Sequence, residues 1–306
     1  METRRLGGAN GFDISLVGLG CNAFGRRFDE ARSAPVIRAA LDAGITFFDT
    51  AEIYGDGLSE AFVGRALEGH RDEVILATKF GLRTHHFPGK GTGSRENAMV
   101  AIDLSLKRLK TDHVDLYQFH MPDPRTPIAE TLHAMNDMVK AGKVRLIGCS
   151  NFSPAQLREA IDVAAADGLD CFVTAQNEWS LLDREIETGV VPFCRKAGIG
   201  ILPYYPLARG LLTGKYRRGA RSPAGSRLDG EAARADYDLL EALEAFARSR
   251  GYDLLTLAVS WLASNPVTAS VIAGATRPEQ IAANATAARW KLTAADYAAV
   301  ERILGR

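Results

Sequence analysis

The chain of 306 residues has no charge excess of either sign: 37 Lys and Arg stand against 37 Asp and Glu. This balance argues against nucleic acid or an anionic membrane as the main partner, because both call for a basic excess. Cysteine is scarce. The four thiols, Cys21, Cys149, Cys171 and Cys194, lie far apart and form no CxxC pair. That spacing leaves no disulfide framework and points to buried thiols in a reducing cytosol. No apolar run is long enough to span a bilayer, and residues 1–8 are charged and hold no signal-peptide core. The protein is therefore expected in the cytoplasm. There is no G-x-S-x-G nucleophile elbow and no zinc-ligand cluster. His85-His86 is an adjacent pair in a Gly- and Pro-containing loop, and neighbouring histidines more often point apart than chelate. A full G-x-G-x-x-G is also missing. The run Gly18-Leu19-Gly20-Cys21-Asn22-Ala23 lacks the third glycine and does not lead straight into a helix, which counts against a doubly wound dinucleotide-binding sheet.

What the chain does have is a repeated alternation of strand and helix. Residues 3–7 and 13–17 read as a hairpin around a Gly-rich turn. Strands are then expected at Val17–Gly20, 45–48, 74–78, Val114–Phe119, 144–148, 171–175, 199–202 and 271–273. Helices are expected at 34–43, stopped by Gly44, at 58–67, and from a Ser94 cap to Leu109. Others follow at 127–141, starting on Pro127, then a helix opened by Ser153-Pro154, and then at 186–197, at about 234–250, and at 254–263, 278–288 and 294–303. Residues 204–233 form a long irregular segment rich in Gly, Arg and Pro, and loops of that length are usually functional. Eight strands, each after the first reached through a helix and with no linker between halves, predict a single α/β domain over residues 1–306. Its expected form is a (β/α)8 TIM barrel with an N-terminal β-hairpin and extra helices.

A barrel gathers its functional residues at the C-terminal ends of its strands. Three strands deliver ionisable groups there: Asp49, with Tyr54 five residues on, then Lys79, then His120. A phenol with a pKa near ~10 is a poor acid at neutral pH, and a nearby ammonium lowers that pKa. Lys79, held by an ion pair to Asp49, would act in this way on Tyr54. His120 would contact the substrate oxygen or help shuttle the proton. Singly, each has a plainer reading: a strand-end lysine, a turn cap, a half-buried aromatic, a structural histidine. Their joint occurrence at three strand ends favours proton donation to a carbonyl oxygen.

The runs FFDTAEIYGDGLSE (47–60), ILATKFG (75–81), DLYQFH (115–120), IGCSNFSPAQL (147–157), AQNEWSLLDRE (175–185) and PYYPLARGLLTGKY (203–216) resemble the aldo-keto reductases in order and spacing. The likeness extends from Leu6 to about Ala287. The short loops and the PLARG run are most similar to the bacterial, yeast and potassium-channel-beta-subunit branch. The resemblance implies an NADP(H)-dependent enzyme acting on a small carbonyl substrate, with Tyr54 as proton donor, Lys79 and Asp49 tuning it, and His120 orienting the carbonyl. It implies that Ser150, Asn151 and Gln176 bind the nicotinamide carboxamide and that Tyr204 stacks on the ring. Leu207, Arg209, Gly210 and Lys215 would line the pyrophosphate, and Gly274, Thr276, Gln280 and Asn284 the adenosine end. Gly20, Cys21, Asn22, Tyr205 and Pro206 would lie beside the cofactor, and Arg227 matches a cofactor-contacting arginine of the channel-subunit branch. Ala283 departs from the family pattern, since relatives often place a glutamate there.

The residues supply reasons of their own. Ser150-Asn151 follows a strand directly and so faces the barrel mouth. The 204–227 segment combines aromatic residues with Arg209, Lys215, Arg217, Arg218, Arg221 and Arg227, a cationic loop in a neutral protein that suits a polyanionic cofactor. For Arg217, Arg218 and Arg221 a solvated basic surface is the plainer reading. Arg277 opens the helix behind the last strand, where a helix N-terminus can hold a 2′-phosphate, so NADP is favoured over NAD. Position at strand ends puts Asn22, Phe24, Tyr54, Phe80, His120, Met121 and Trp179 along the substrate path, an apolar and aromatic lining suited to small aliphatic or aromatic aldehydes. Two other readings stand beside this one: an NADPH-binding redox-sensing or scaffolding module with little turnover, and a Schiff-base aldolase built on Lys79.

Overall fold

In the computed structural model, residues 1–8, 11–83, 87, 89–222, 228 and 235–306 are described. The hairpin β1 (Thr3–Leu6) and β2 (Phe12–Ser15) is followed by eight parallel strands: β3 (Val17–Gly20), β4 (Phe47–Asp49), β5 (Ile75–Phe80), β6 (Val114–Phe119), β7 (Val144–Ser150), β8 (Thr174–Glu178), β9 (Gly200–Tyr204) and β10 (Val271–Gly274). They pair in the order β10-β3-β4-β5-β6-β7-β8-β9. The ring closes through Ile201, whose N–H donates to Val267 O and whose carbonyl accepts from Ala269 N–H, both at 2.7 Å. The sheet is thus the (β/α)8 barrel that the alternation predicts.

Helices pack around it: α1 (Glu30–Asp42), α2 (Leu58–Ala66), α3 (Arg95–Leu109), α4 (Ile128–Lys140), α5 (Pro154–Asp167), α6 (Val190–Ala197), α7 (Tyr237–Ser249), α8 (Leu254–Ala263), α9 (Pro278–Thr286) and α10 (Ala294–Ile303). Their starts are set by local chemistry. Asp29 accepts from Arg32 N–H at the start of α1, and Ser153 with Gln156 makes a reciprocal capping box on α5, which stops where Gly168 takes φ 65°. Among the described residues no helix is long and apolar enough to cross a membrane.

Three local expectations change. Ser94 occupies the cap position of α3, but its buried hydroxyl has no partner; Glu130 Oε1 instead accepts from Arg95 N–H at 2.9 Å, a carboxylate where the helix dipole favours one. The strand expected at 171–175 lies three residues later, at Thr174–Glu178. Its register is set by pairing with β7, Gly148 to Thr174 and Ser150 to Gln176, and not by its own apolar run. The helix expected at 186–197 breaks at Gly189 (φ −138°, ψ −68°) into a 3-10 turn, Glu185–Thr188, and α6.

Inward-facing positions alternate along each strand, and they change from apolar to polar as the strands rise. Phe47 gives way to Asp49, Ala77 to Lys79, Leu116 to Gln118 and Leu202 to Tyr204. The lower barrel is filled by Phe47, Ala77, Leu116, Leu202 and Ile272, which pack against Leu6, Phe12 and Ile14 of the hairpin. The hairpin therefore plugs the bottom with hydrocarbon, and Asp49, Lys79 and Gln118 lie at the upper end. Gly18 makes space for this layer: a Cβ there would lie 2.7 Å from the Phe47 ring and 3.0 Å from Ser270 Oγ. Gly18→Val is expected to lower stability by about 1–3 kcal/mol through overpacking, read as a fall in the urea midpoint.

Candidate active site

The strand tops bring the four ionisable residues together. Lys79 and Asp49 are 0% and 2% exposed. Lys79 Nζ donates to Asp49 Oδ2 at 2.7 Å and to the Thr50 carbonyl at 2.9 Å, and it lies 3.4 Å from the Tyr54 hydroxyl. The other carboxylate oxygen of Asp49 accepts from Gln176 Nε2 at 2.9 Å and from Gln118 Nε2 at 3.2 Å. His120 presents its ring edge-on to Tyr54, centroids 5.9 Å apart, and its buried Nδ1 has no partner. Gln118 was not singled out from the sequence. The available signal was a polar side chain two residues before His120, and so on the same face, in a strand whose preceding inward position is Leu116.

Tyr54 reaches this position because the chain turns sharply after β4. Tyr54 N–H donates to Ala51 O at 3.0 Å, and Gly55, Asp56 and Gly57 take φ of 56°, 62° and 86°. A Cβ on Gly55 would stand 2.6 Å from the Gly25 backbone, so only glycine lets these two loops touch.

Burial pushes the Tyr54 phenol above its ordinary value. Lys79 opposes this rise without cancelling it, so the expectation of a lowered phenol is reversed and Tyr54 rests protonated. Burial by itself would pull Lys79 down, but the charge of Asp49, with Tyr54, outweighs it and holds the ammonium above its ordinary value. Burial, reinforced by Lys79, pulls His120 down from 6.5 to about 3, so its imidazole is neutral.

The site continues toward β7, β8 and β9. Ser150, which lies within β7 and not after it, donates through Oγ to the Gln176 carbonyl at 2.8 Å. Asn151, at φ 63°, donates Nδ2 to Ser150 Oγ and to the His120 carbonyl, both at 3.0 Å, and accepts from the Tyr204 hydroxyl at 2.9 Å. Asp49, Gln176, Ser150, Asn151 and Tyr204 therefore form one hydrogen-bonded chain. Beyond β9, Tyr205, Ala208 and Arg209 take left-handed φ of 51°, 44° and 57°, and the Arg209 guanidinium lies 5.6 Å from the Tyr205 ring centre. Pro206 is buried, and Leu207 and Gly210 are half-buried beside them.

The cations of this segment separate into two groups. Arg217 pairs with Glu244, and Arg218 with Asp238 and Glu241, all three acids on α7. Among the described residues no carboxylate pairs with Arg209, Lys215 or Arg277. Arg277 is exposed at the uncapped N-terminus of α9. Next to it Thr276 donates through N–H and Oγ1 to Gln280 Oε1 at 2.7 and 3.0 Å, and Asn284 Nδ2 lies 3.5 Å from the carbonyl of exposed Gly274. Arg227, His85 and His86 lie outside the described residues.

Several expected positions are not where the sequence put them. Phe24 is fully buried, and the Phe80 ring stacks between Tyr117 and Phe119, at 4.9 and 5.2 Å. Strand alternation is the reason: with Lys79 facing inward, Phe80 faces outward into the helix layer. Trp179 is buried as well, donating from Nε1 to Glu187 and packing on Trp261. None of the three lines the mouth. Cys21 is buried, and burial raises its thiol; its carbonyl accepts from Ser59. Gly20 ends β3 with its Cβ direction toward Ile272, Asn22 is half-buried beside it, and Met121 is 40% exposed next to His120.

The chain is similar to known proteins over nearly its whole length. The model of the Aldo/keto reductase family matches residues 16–304. The Bacillus subtilis strain 168 aldo-keto reductase YhdN is 36% identical over 307 residues, covering 96% of this chain and 91% of its own. A probable voltage-gated potassium channel subunit beta of Arabidopsis thaliana is 36% identical over 300 residues, covering 93% and 90%. The solved structure of the glycerol dehydrogenase AKR11B4 from Gluconobacter oxydans superimposes with a TM-score of 0.86 at 30% identity, over 99% of this chain and 95% of that one.

The His120 shift carries a pH prediction. The unfolded ring takes up a proton near 6.5 and the folded one only near 3. Between those values the unfolded chain binds the extra proton, so stability is full above 6.5 and falls as the pH is lowered, by at most about 1.4 kcal/mol per unit. In urea unfolding between pH 7.5 and 5, the parent is expected to lose about 2 kcal/mol more than His120→Asn. Equal losses would mean that the folded imidazole is charged.

Proposed function

The chain belongs to the aldo/keto reductase family, and we propose that it is an oxidoreductase that reduces an aldehyde or ketone to the alcohol with NADPH, Tyr54 donating the proton. The observation that carries this reading is the Lys79 ammonium, fully buried, bound to Asp49 at 2.7 Å and 3.4 Å from the Tyr54 hydroxyl. Such a group, itself out of contact with water, stabilises a tyrosinate as it forms.

The residues fit a nicotinamide dinucleotide. Ser150, Asn151 and Gln176 supply amide and hydroxyl groups at one end of the mouth. Arg209, Lys215 and Arg277 supply cations that make no ion pair with a described carboxylate, and Arg277 sits at a helix N-terminus, an anion-favouring place. When bound, NADPH supplies the hydride. The rest is done by this chain. His120, neutral, offers a hydrogen bond to the carbonyl oxygen and fixes its direction. Tyr54 Oη then gives its proton to that oxygen as negative charge builds there. Lys79 balances the phenolate left behind. Asp49 keeps Lys79 charged and in place, and Gln118 and Gln176 keep Asp49 in place.

Relatives named as potassium channel beta subunits favour a second reading, an NADPH-binding module with little turnover. The complete set of Asp49, Tyr54, Lys79 and His120 weighs toward turnover. A Schiff-base role for Lys79 needs a neutral amine, and an ammonium held above its ordinary value by Asp49 is a poor nucleophile.

In an NADPH-oxidation assay over a panel of aldehydes, Tyr54→Phe is expected to lose about 100-fold or more of kcat while NADPH still quenches protein fluorescence with the parent Kd. Undiminished turnover in Tyr54→Phe would remove the proton-donor role. Arg277→Ala is expected to weaken NADPH binding more than NADH binding; equal weakening would show that no 2′-phosphate is held there.

A further inference from the structure

Glu52 is a carboxylic acid only 1% exposed, placed between Asp49 and Tyr54, and the chemistry above does not use it. Its surroundings show what it does. After β4 ends, the chain stays hooked to β5 by main-chain bonds at every second residue: Thr50 N–H donates to Ala77 O at 2.9 Å, and Glu52 N–H to Lys79 O at 3.1 Å. In a parallel ladder the next rung would run from Gly81 N–H to the main-chain carbonyl of Glu52. Here Gly81 N–H donates instead to the side-chain Oε1 of Glu52, at 3.1 Å. The carboxyl group takes the place of the backbone acceptor. The Gly81 amide remains satisfied in a buried position, where an unpaired N–H is costly. Main-chain pairing with β5 is thus replaced by a side-chain rung at this residue, where the chain leaves the sheet and curls into the turn that carries Tyr54.

We propose that Glu52 is a positioning residue for the Tyr54 proton donor. It ends the β4–β5 ladder with a side chain in place of main chain, and so sets the Tyr54 hydroxyl over Lys79. The same residue touches both partners' segments: its N–H holds the Lys79 carbonyl, and its side chain holds the amide two residues beyond Lys79. A shift of the turn would move the Tyr54 hydroxyl relative to Lys79 Nζ directly. Displacement of a reacting group by about 1 Å can lower a rate by about 100-fold.

The inference rests on Tyr54 being the proton donor, and the test separates the two. Steady-state kinetics with NADPH and the best aldehyde of the panel would compare the parent, Glu52→Ala, Glu52→Asp and Glu52→Gln, each also in a Tyr54→Phe background. Glu52→Ala removes the acceptor, Glu52→Asp makes it one methylene too short, and Glu52→Gln keeps an oxygen at the same reach. The expected result is a fall in kcat of about 10- to 100-fold in the Ala and Asp variants, with the NADPH Kd within twofold of the parent and recovery of most of the rate in Glu52→Gln. In the Tyr54→Phe background, Glu52→Ala should lower the residual rate no further, because Glu52 acts only through Tyr54. If Glu52→Ala does not fold, Glu52→Asp carries the same comparison. Parent-like kcat in both the Ala and Asp variants would overturn the inference, as would a Gln variant as slow as Ala or a further loss in the Tyr54→Phe background. A Tyr54→Phe enzyme as fast as the parent would instead overturn the proton-donor reading on which the inference stands.

Discussion

The arrangement depends most on one buried ion pair, Lys79 with Asp49. Removing both charges from water costs several kcal/mol per ion, and attraction between them offsets that only when the remaining hydrogen-bonding positions are filled. Here they are filled by the Thr50 carbonyl on the ammonium and by Gln118 and Gln176 on the carboxylate. These groups come from β4 and the loop after it, β5, β6 and β8. The pair is satisfied only when four strands stand in the correct register, since a slip of one residue would turn each side chain to the opposite face. The apolar lower barrel and its hairpin plug provide the stability that lets such a costly feature persist at the top.

Burial, together with the pair, sets the protonation of the site. Burial keeps the Tyr54 phenol protonated and the His120 imidazole neutral, while Asp49 keeps Lys79 charged. Each group thus rests in the state that proton donation to a carbonyl requires. Lys79 need not ionise Tyr54 in the resting protein. In the proposed reaction it needs to stabilise the phenolate at the moment the proton leaves, and a buried ammonium does that with little reorganisation. In the loop after β9, α7 performs a comparable selection. Its acids pair with Arg217 and Arg218, two of the three arginines read from the sequence as a solvated basic surface, and with neither Arg209 nor Lys215.

Much of this was legible in the residues. The strand–helix alternation gave the barrel, and the strand ends named Asp49, Tyr54, Lys79 and His120. What could not be read was mostly directional. Phe24, Phe80 and Trp179 stand near strand ends in the sequence, but facing inward or outward depends on register, and all three turned out to be core. The polar stretch Gln176-Asn177-Glu178 does not look like strand by its own propensity; pairing with β7 and β9 makes it one. Gln118 was visible as a polar residue two positions before His120, but its partner Asp49 lies 69 residues away, beyond the reach of any local pattern.

The sequence by itself determined the kind of fold and the chemical groups available, because hydrophobic periodicity, capping residues and the titratable strand ends are local properties. Only the tertiary structure decided which groups meet and in which protonation state. Burial, register and opposing charges are properties of the packed barrel, and they turned the expected lowering of the Tyr54 pKa into a rise. They also gave Glu52, an unremarked acid in a conspicuous motif, a place in the β4–β5 ladder at the base of the Tyr54 turn.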